Sequence, residues 1–430
     1  MEKFDLLHPA DQLIMIMNRI YGYGMTTTSG GNLSIKDENG DLWITPGGID
    51  KGTLNRNDII KVSSDGSIQG PHKPSSEFPF HQAIYEARPD IKAILHAHPP
   101  ALVSFSVVRK IPDTSLIPNA HLVCGEVGMA QYALPGSKEL GDRIADVFKR
   151  GLNTVMLENH GIVVAGKDLF QAFMRFETLD FCARLEIRAR RIGKPIPLKQ
   201  DQLRQLEIKQ HVEMDEFIPR TYSSSERESR HQICNLIHRG YDQMLFTSTQ
   251  GTFSQRLSDE SFIITPYKVD RKYIDEADIV RVEKGWREAG KMPSRSVNLH
   301  QMIYENHPKI RAVLIAHPPN IMAFGITHQQ LDTRTIPESY VMLRDIPQLP
   351  YGVDYLDMQK IVDTLSVSTP LVILQNDSII VTGESLLQAF DRLEVAEYTA
   401  KAVIATRDLG DMVTINEEEV EALKKAFKLK

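Results

Sequence analysis

Two histidines separated by one residue, His96 and His98, close an apolar run in IKAILHAHPP. On an extended strand, side chains alternate faces, so the two imidazoles project from one face with Cα atoms about 6.5 Å apart. That spacing suits two ligands converging on a metal ion, and equally two half-buried polar residues at a strand end. A third histidine, His160 in Glu158-Asn159-His160-Gly161, follows another short apolar run. Three histidines with a fourth position open describe a catalytic rather than a structural zinc site. In Pro74-Ser75-Ser76-Glu77 the carboxylate stands at a predicted helix start. There Glu77 either caps exposed amides or acts as general acid/base beside a metal-polarised substrate. Ser75 and Ser76, with the amides of the same helix start, make a seat for a phosphate. Ser29-Gly30-Gly31-Asn32 and Thr45-Pro46-Gly47-Gly48 are glycine turns that either bring amides up to an anion or simply turn the chain.

The chain itself helps to weigh these alternatives, because it is written twice. Ile44-Thr45-Pro46 recurs as Ile264-Thr265-Pro266, 220 residues on, and HQAIYE at 81–86 recurs as HQMIYE at 300–305, 219 on. VMLENHGIVVAGKDLFQAF at 155–173 recurs as VILQNDSIIVTGESLLQAF at 372–390, 217 on. A period of half the chain means tandem duplication of one domain, not a solenoid. The expected domains are 1–213 and 222–430, joined by a polar linker near 214–223. In the second copy His96 has become Ile315, His160 has become Asp377 and Glu77 has become Ser296, while the apolar scaffold and His317 remain. Joint loss of these letters reads as loss of one function, which favours a metal site in the first copy. Gln250, Thr252 and Tyr267 likewise spoil the two glycine turns in the second copy. By the same test His81, kept as His300, reads as structural.

The elements that must position these residues alternate. Helices are expected over about 9–22, 77–87, 137–149 and 168–191. Strands are expected at Asn32–Lys36, Leu42–Ile44, Ile59–Val62, Ala93–His98, Val155–Leu157 and Gly161–Val164. A helix over 199–213 closes the first copy, as 415–427 closes the second. The fold class is α/β with a mixed, mostly antiparallel sheet in each copy.

Composition bounds the rest. The 430 residues are 42% hydrophobic and 25% charged with a net charge of −6, which gives no reason to expect nucleic acid or an anionic membrane as partner. Three scattered cysteines, Cys124, Cys182 and Cys234, form no CxxC pair and favour a reducing compartment. The N-terminal run LIMIM is fenced by Asp11 and Arg19 and reads as part of an amphipathic helix, not a signal peptide. The expected location is the cytoplasm.

With SGGNLS, ITPGG, SSEFPFH, HAHPP and ENHG in this order, residues 8–211 closely resemble the class II aldolase/adducin family, and the second half resembles it with the active-site letters erased. The resemblance implies a three-layer α/β/α sandwich in each copy. It also implies one zinc ion per chain, in the first domain only, held by His96, His98 and His160, with Glu77 as acid/base. Asn32, Thr45, Gly47, Ser75 and Ser76 would hold the phosphate of a sugar substrate. The implied reaction is cleavage of a ketose phosphate, such as L-fuculose 1-phosphate, to dihydroxyacetone phosphate and an aldehyde through a metal-stabilised enediolate. Other implied readings are a sugar-phosphate epimerase, dehydratase or decarboxylase, or a non-catalytic adducin-like binding protein. Family enzymes assemble as tetramers, so two tandem chains would make a homodimer that is a pseudo-tetramer. Two departures bear on the substrate. The stretch Pro118–Leu122 lacks the acid of the epimerases, and Leu122 stands where the fuculose-phosphate aldolases place a tyrosine, leaving Tyr132 as one substitute proton donor.

Overall fold

A computed structural model describes residues 2–205, 213–258 and 261–429. The chain packs into two compact units. The first holds the chain up to Thr114 together with Asn119–Arg184, and the second holds Ser115–Pro118 and the chain from Leu185 onward. The division falls within the long helix Leu169–Ile192. The duplicated stretch and the packed unit are therefore different objects.

The first unit is built on an eight-stranded sheet in the order Ile68–Gln69, Ile60–Val62, Leu42–Ile44, Asn32–Lys36, Ala93–Ala97, Gly161–Gly166, Thr154–Leu157, Val127–Ala130. All neighbours are antiparallel except the last two strands, which are parallel. Helices Phe78–Ala87 and Lys138–Lys149 pack against each other over one face. Their apolar residues Phe80, Ile84, Leu140, Ile144 and Phe148 meet Ile94, Val155 and Val163 of the sheet in one buried core. Leu140, Ile144, Val147 and Phe148 recur at the spacing of one helix face. Ser137 starts that helix by accepting the Leu140 amide at 3.1 Å, and Arg88, in extended backbone before Pro89, ends the other. Helix Pro9–Gly22 packs on strands Asn32–Lys36 and Leu42–Ile44.

The second unit repeats this plan in nine strands, with Ala312–Ala316 between Thr252–Arg256 and Ser378–Gly383 as Ala93–Ala97 lies between Asn32–Lys36 and Gly161–Gly166. Its extra strand, Glu216–Phe217, comes from the stretch expected as linker and pairs in parallel with Trp286–Glu288. The expected α/β class with a mostly antiparallel sheet in each copy is found. The predicted elements at 9–22, Asn32–Lys36 and Leu42–Ile44 are found at those bounds, and the others within one or two residues. Helix Pro100–Val107 was not foreseen, because its apolar residues show no period to read. Of the closing helix expected at 199–213 the structure shows Gln200–Arg204, and 206–212 lie outside the described residues. No described helix is long and apolar enough to cross a membrane.

Candidate metal centre

Strand register assembles the site. Ala93–Ala97 pairs with Asn32–Lys36 so that Asn32 lies opposite His96. Its other neighbour, Gly161–Gly166, sets Ile162 opposite Ala97. His160 therefore stands in the turn beside the end of the histidine strand, and Asn159 takes a positive φ of 54° in that turn. Gly161 has to be glycine, since a Cβ there would lie 2.6 Å from the Ala97 carbonyl and 2.8 Å from the His98 ring. His96 shares its face with Ile94, and Phe80 meets its ring edge-on at 5.5 Å.

His96, His98 and His160 each offer one nitrogen within 4.8 Å of the others. Ring centroids lie 4.6, 4.9 and 5.1 Å apart. His96 Nδ1 bonds the Ile162 carbonyl at 2.9 Å, which fixes the tautomer and turns Nε2 inward. Glu77 reaches the same point, its carboxylate 3.1 Å from His96 Nε2 and 3.4 Å from His160 Nε2. Burial lowers the pKa of His98 to about 3 and that of His160 to about 4. Both are thus neutral near pH 7 with lone pairs available, as metal ligation requires. Burial would raise the Glu77 carboxyl, but His96 beside it and the hydrogen bond from Asn32 outweigh that and hold it well below the usual carboxylate range.

The buried nitrogens His96 Nε2 and His98 Nε2 and the carboxylate oxygen Glu77 Oε1 have no hydrogen-bond partner. Buried polar atoms are rarely left so. A divalent cation among the three imidazoles, with Glu77 alongside, supplies what these atoms lack, so the residues present fit a metal. Counterpart positions in the second unit carry Ile315, His317 and Asp377, and the only three-histidine group of this kind among the described residues is the first.

The structure reveals a hydrogen-bond chain behind Glu77. Asn32 Nδ2 donates to Glu77 Oε2 at 2.8 Å, and Asn32 Oδ1 meets His81 Nε2 at 2.5 Å. His81 Nδ1 meets Ser34 Oγ at 2.7 Å, and Ser34 Oγ meets the Tyr85 hydroxyl at 2.8 Å. An amide that gives its N–H to the carboxylate must accept at its oxygen. His81, whose pKa burial lowers to about 3, is neutral and donates from Nε2. Ser34 then donates to His81 Nδ1, and Tyr85 to Ser34. The sequence reading took His81 as structural and placed Asn32 among the phosphate residues; here both ends of the Asn32 amide serve this chain. Recurrence of Ser34, His81 and Tyr85 as Ser254, His300 and Tyr304 was the signal available in the sequence.

The remaining phosphate candidates are brought together. The Thr45-Pro46-Gly47 and Pro74-Ser75 turns lie side by side, bridged at Pro46 and Pro74, and the Gly47 amide bonds Lys73 O at 3.1 Å. The Thr45 hydroxyl is buried and accepts the Leu33 amide at 3.1 Å. Ser75 Oγ accepts the Glu77 amide at 3.3 Å, and Ser76 is exposed. Lys51, which the sequence reading passed over, is only 1% exposed and donates from Nζ to the Pro46 carbonyl. Burial lowers its pKa to about 8. With its amide bonded to Thr28 O at 2.8 Å, it braces both glycine turns from within.

Comparison with known proteins bears on the same two regions. The profile of the family described as "Class II Aldolase and Adducin N-terminal domain" matches residues 11–187 and again 231–404. An L-fuculose phosphate aldolase of Methanocaldococcus jannaschii is 35% identical over 177 residues, 41% of this chain and 94% of that protein. A 3-oxo-tetronate 4-phosphate decarboxylase of Haemophilus influenzae is 30% identical over 177 residues, 40% of this chain and 84% of that protein. A solved L-fuculose 1-phosphate aldolase covers 47% of this chain and 95% of its own at 32% identity, with a TM-score of 0.43.

Proposed function

The chain belongs to the class II aldolase and adducin family, and from that premise we propose that its first copy is a zinc-dependent aldolase of a phosphorylated ketose, with L-fuculose 1-phosphate as the model substrate. The observation that supports this most is the cluster of three histidines around buried, unpartnered atoms. His96, His98 and His160 would hold the ion. The ion, when bound, supplies a Lewis acid for the substrate carbonyl and for the negative charge released as the C–C bond breaks. Glu77, ionised and fixed at Oε2 by Asn32, keeps Oε1 as the atom that takes the proton and returns it to the ketose half. Ser75 and Ser76, beside the close turn at Gly47, offer amides and hydroxyls for the phosphate, which fixes the reacting carbons over Glu77. Tyr132 is half exposed, and its amide bonds Glu158, two residues from His160, at 3.1 Å. In the aldol-forming direction that neighbourhood suits a proton donor to the aldehyde oxygen, and in cleavage the same group passes that hydroxyl proton on toward Glu77.

A second reading, decarboxylation of an oxo-tetronate phosphate, is favoured by Leu122 at the place of the aldolase tyrosine and by relatives of that name. Assaying a panel of ketose 1-phosphates for release of dihydroxyacetone phosphate, with metal added or chelated, tests the proposal. Metal-dependent release that Glu77→Gln abolishes supports it. Release of carbon dioxide from an oxo-tetronate 4-phosphate, with no aldol cleavage, would replace it with the second reading. The expected homodimer belongs to the same proposal.

A further inference from the structure

The two copies brace the same pair of turns with different cations. Lys51 and Arg271 stand 220 residues apart at matching places, and their amides bond Thr28 O and Ser248 O, each at 2.8 Å. Both side chains are buried, at 1% and 2% exposed. The Arg271 guanidinium bonds Gln250 O at 3.1 Å, Gly251 O at 2.9 Å, Val269 O at 2.7 Å and Pro266 O at 3.0 Å. It thereby ties both turns together. The Lys51 ammonium carries three N–H groups, and one of them meets the Pro46 carbonyl. The other two have no acceptor among the described residues.

A buried cation with spare donors calls for an anion or a further acceptor. The Pro46 carbonyl belongs to the peptide that joins it to Gly47, so the ammonium lies one peptide unit from the turn beside Ser75 and Ser76. Gly47 keeps the space above that turn open, since a Cβ there would lie 3.2 Å from Pro74 O and 3.5 Å from the Ser76 amide nitrogen. The second copy carries Tyr267 at this place, and its ring centre lies 5.4 Å from the guanidinium of Arg295, the counterpart of Ser76. Where a side chain stands over the turn, the cation beneath is saturated by carbonyls. Where the turn is open, the cation keeps unpaired N–H groups.

The charged and titratable groups around Lys51 are turned elsewhere. Asp50 accepts the Gly52 amide at 2.9 Å and the Thr53 hydroxyl at 3.1 Å. Arg56 lies 3.7 Å from Asp11, and Asp58 lies 3.0 Å from His72. Lys73, whose carbonyl accepts the Gly47 amide, is exposed. The ring of Tyr21, on helix Pro9–Gly22, lies against Gly52. Burial alone acts on the Lys51 ammonium, lowering its pKa to about 8.

We propose that Lys51 is a positioning cation of the phosphate seat: from beneath, it fixes the turn at Pro46 and sets a positive charge against a phosphate monoester, which binds tightly only while that ammonium is charged. The proposal rests on the phosphate seat of the reading above, and on neither the metal nor the bond that is cleaved. A bound dianion favours the charged amine and raises its pKa. Below about pH 8 the ammonium is present in the free and the occupied chain alike, so affinity is level. Above about pH 8 the free chain must take up a proton to bind, and affinity falls by up to about tenfold per pH unit. An arginine at this place, whose pKa burial in the second copy lowers only to about 10, would keep its charge through that window.

Calorimetric titration of the full chain with glycerol phosphate, from near neutral pH into the alkaline range where the ester stays a dianion, tests it. The parent chain should lose affinity on the alkaline side and take up a proton on binding, seen as heat that varies with the buffer. Lys51→Met should weaken binding near neutral pH by at least about tenfold and flatten the pH dependence. Lys51→Arg should bind as the parent does near neutral pH and hold that affinity on the alkaline side, an outcome that a merely structural lysine would not give. Circular dichroism and melting check the fold, and if K51M does not fold, the pH profile of K51R decides. Equal affinities and equal pH profiles in parent and variants would overturn the inference and leave the seat standing. A parent chain that binds the ester at no pH would overturn both together.

Discussion

The two copies keep the same buried serine, histidine and tyrosine and differ in what the histidine reaches. In the first, the run from Tyr85 through Ser34, His81 and Asn32 ends on Glu77. In the second, Ser254 still binds both His300 and Tyr304 at 2.6 Å. Thr252 replaces Asn32 and turns to Ser294 at 2.9 Å, and His300 Nε2 is left buried with no hydrogen-bond partner. The shared part belongs to the scaffold, and Asn32 is the coupling that converts it into support for a carboxylate. Loss of Glu77 removed the need for that coupling, and the histidine stayed because Ser254 still uses it.

Breaking the working end should have the largest effect. Glu77→Gln removes the proposed proton carrier, and turnover should fall by about 10²–10⁴-fold with the metal content of the chain unchanged. Next comes Asn32→Thr, which copies the second unit. Turnover should fall by about 10–100-fold, as for other residues that orient a functional group. The acid limb of the rate profile should move upward, since Glu77 loses a hydrogen bond to its charged form. An unchanged profile would mean that Asn32 acts only on substrate.

The comparison can also be run in reverse. Ile315→His, Asp377→His and Ser378→Gly together rebuild the triad around His317, with glycine where a Cβ would crowd the ring. Equilibrium dialysis should show one metal ion more than the parent chain binds. Failure with the fold intact would mean that ligand types alone do not make the site.

A smaller effect lies in acid stability. Burial lowers the His300 pKa from 6.5 to about 3. Between those values the unfolded chain binds a proton that the native chain does not, so stability is present above pH 6.5 and falls as pH drops. One such group contributes about 1.4 kcal/mol per pH unit over that window. His300→Gln should reduce the acid slope of denaturant-derived stability by about that amount. An identical slope would show that His300 is already protonated in the native state.

Much of this was legible in the sequence because duplication supplied a comparison within one chain. The substitutions of His96, His160 and Glu77 marked the candidate ligands and the carboxylate, and alternation on the strand put His96 and His98 on one face. What was not legible is pairing across the sheet. Nothing local says that Asn32 lies opposite His96, and that register alone carries Asn32 into reach of Glu77 and His81. Lys51 escaped for a different reason. A lysine in a polar turn reads as solvated, and only the closed turn around it reveals the Pro46 carbonyl that it meets. Helix Pro100–Val107 was hidden because a segment apolar on all sides carries no period.

The central claim is that the first copy holds a metal and the second does not. Elemental analysis of the purified full chain and of a His96→Ala, His160→Ala variant tests it most directly. The account predicts one divalent ion per chain, lost in the variant while the fold is retained. A chain that folds without metal, or a variant that keeps the same metal content, would contradict it.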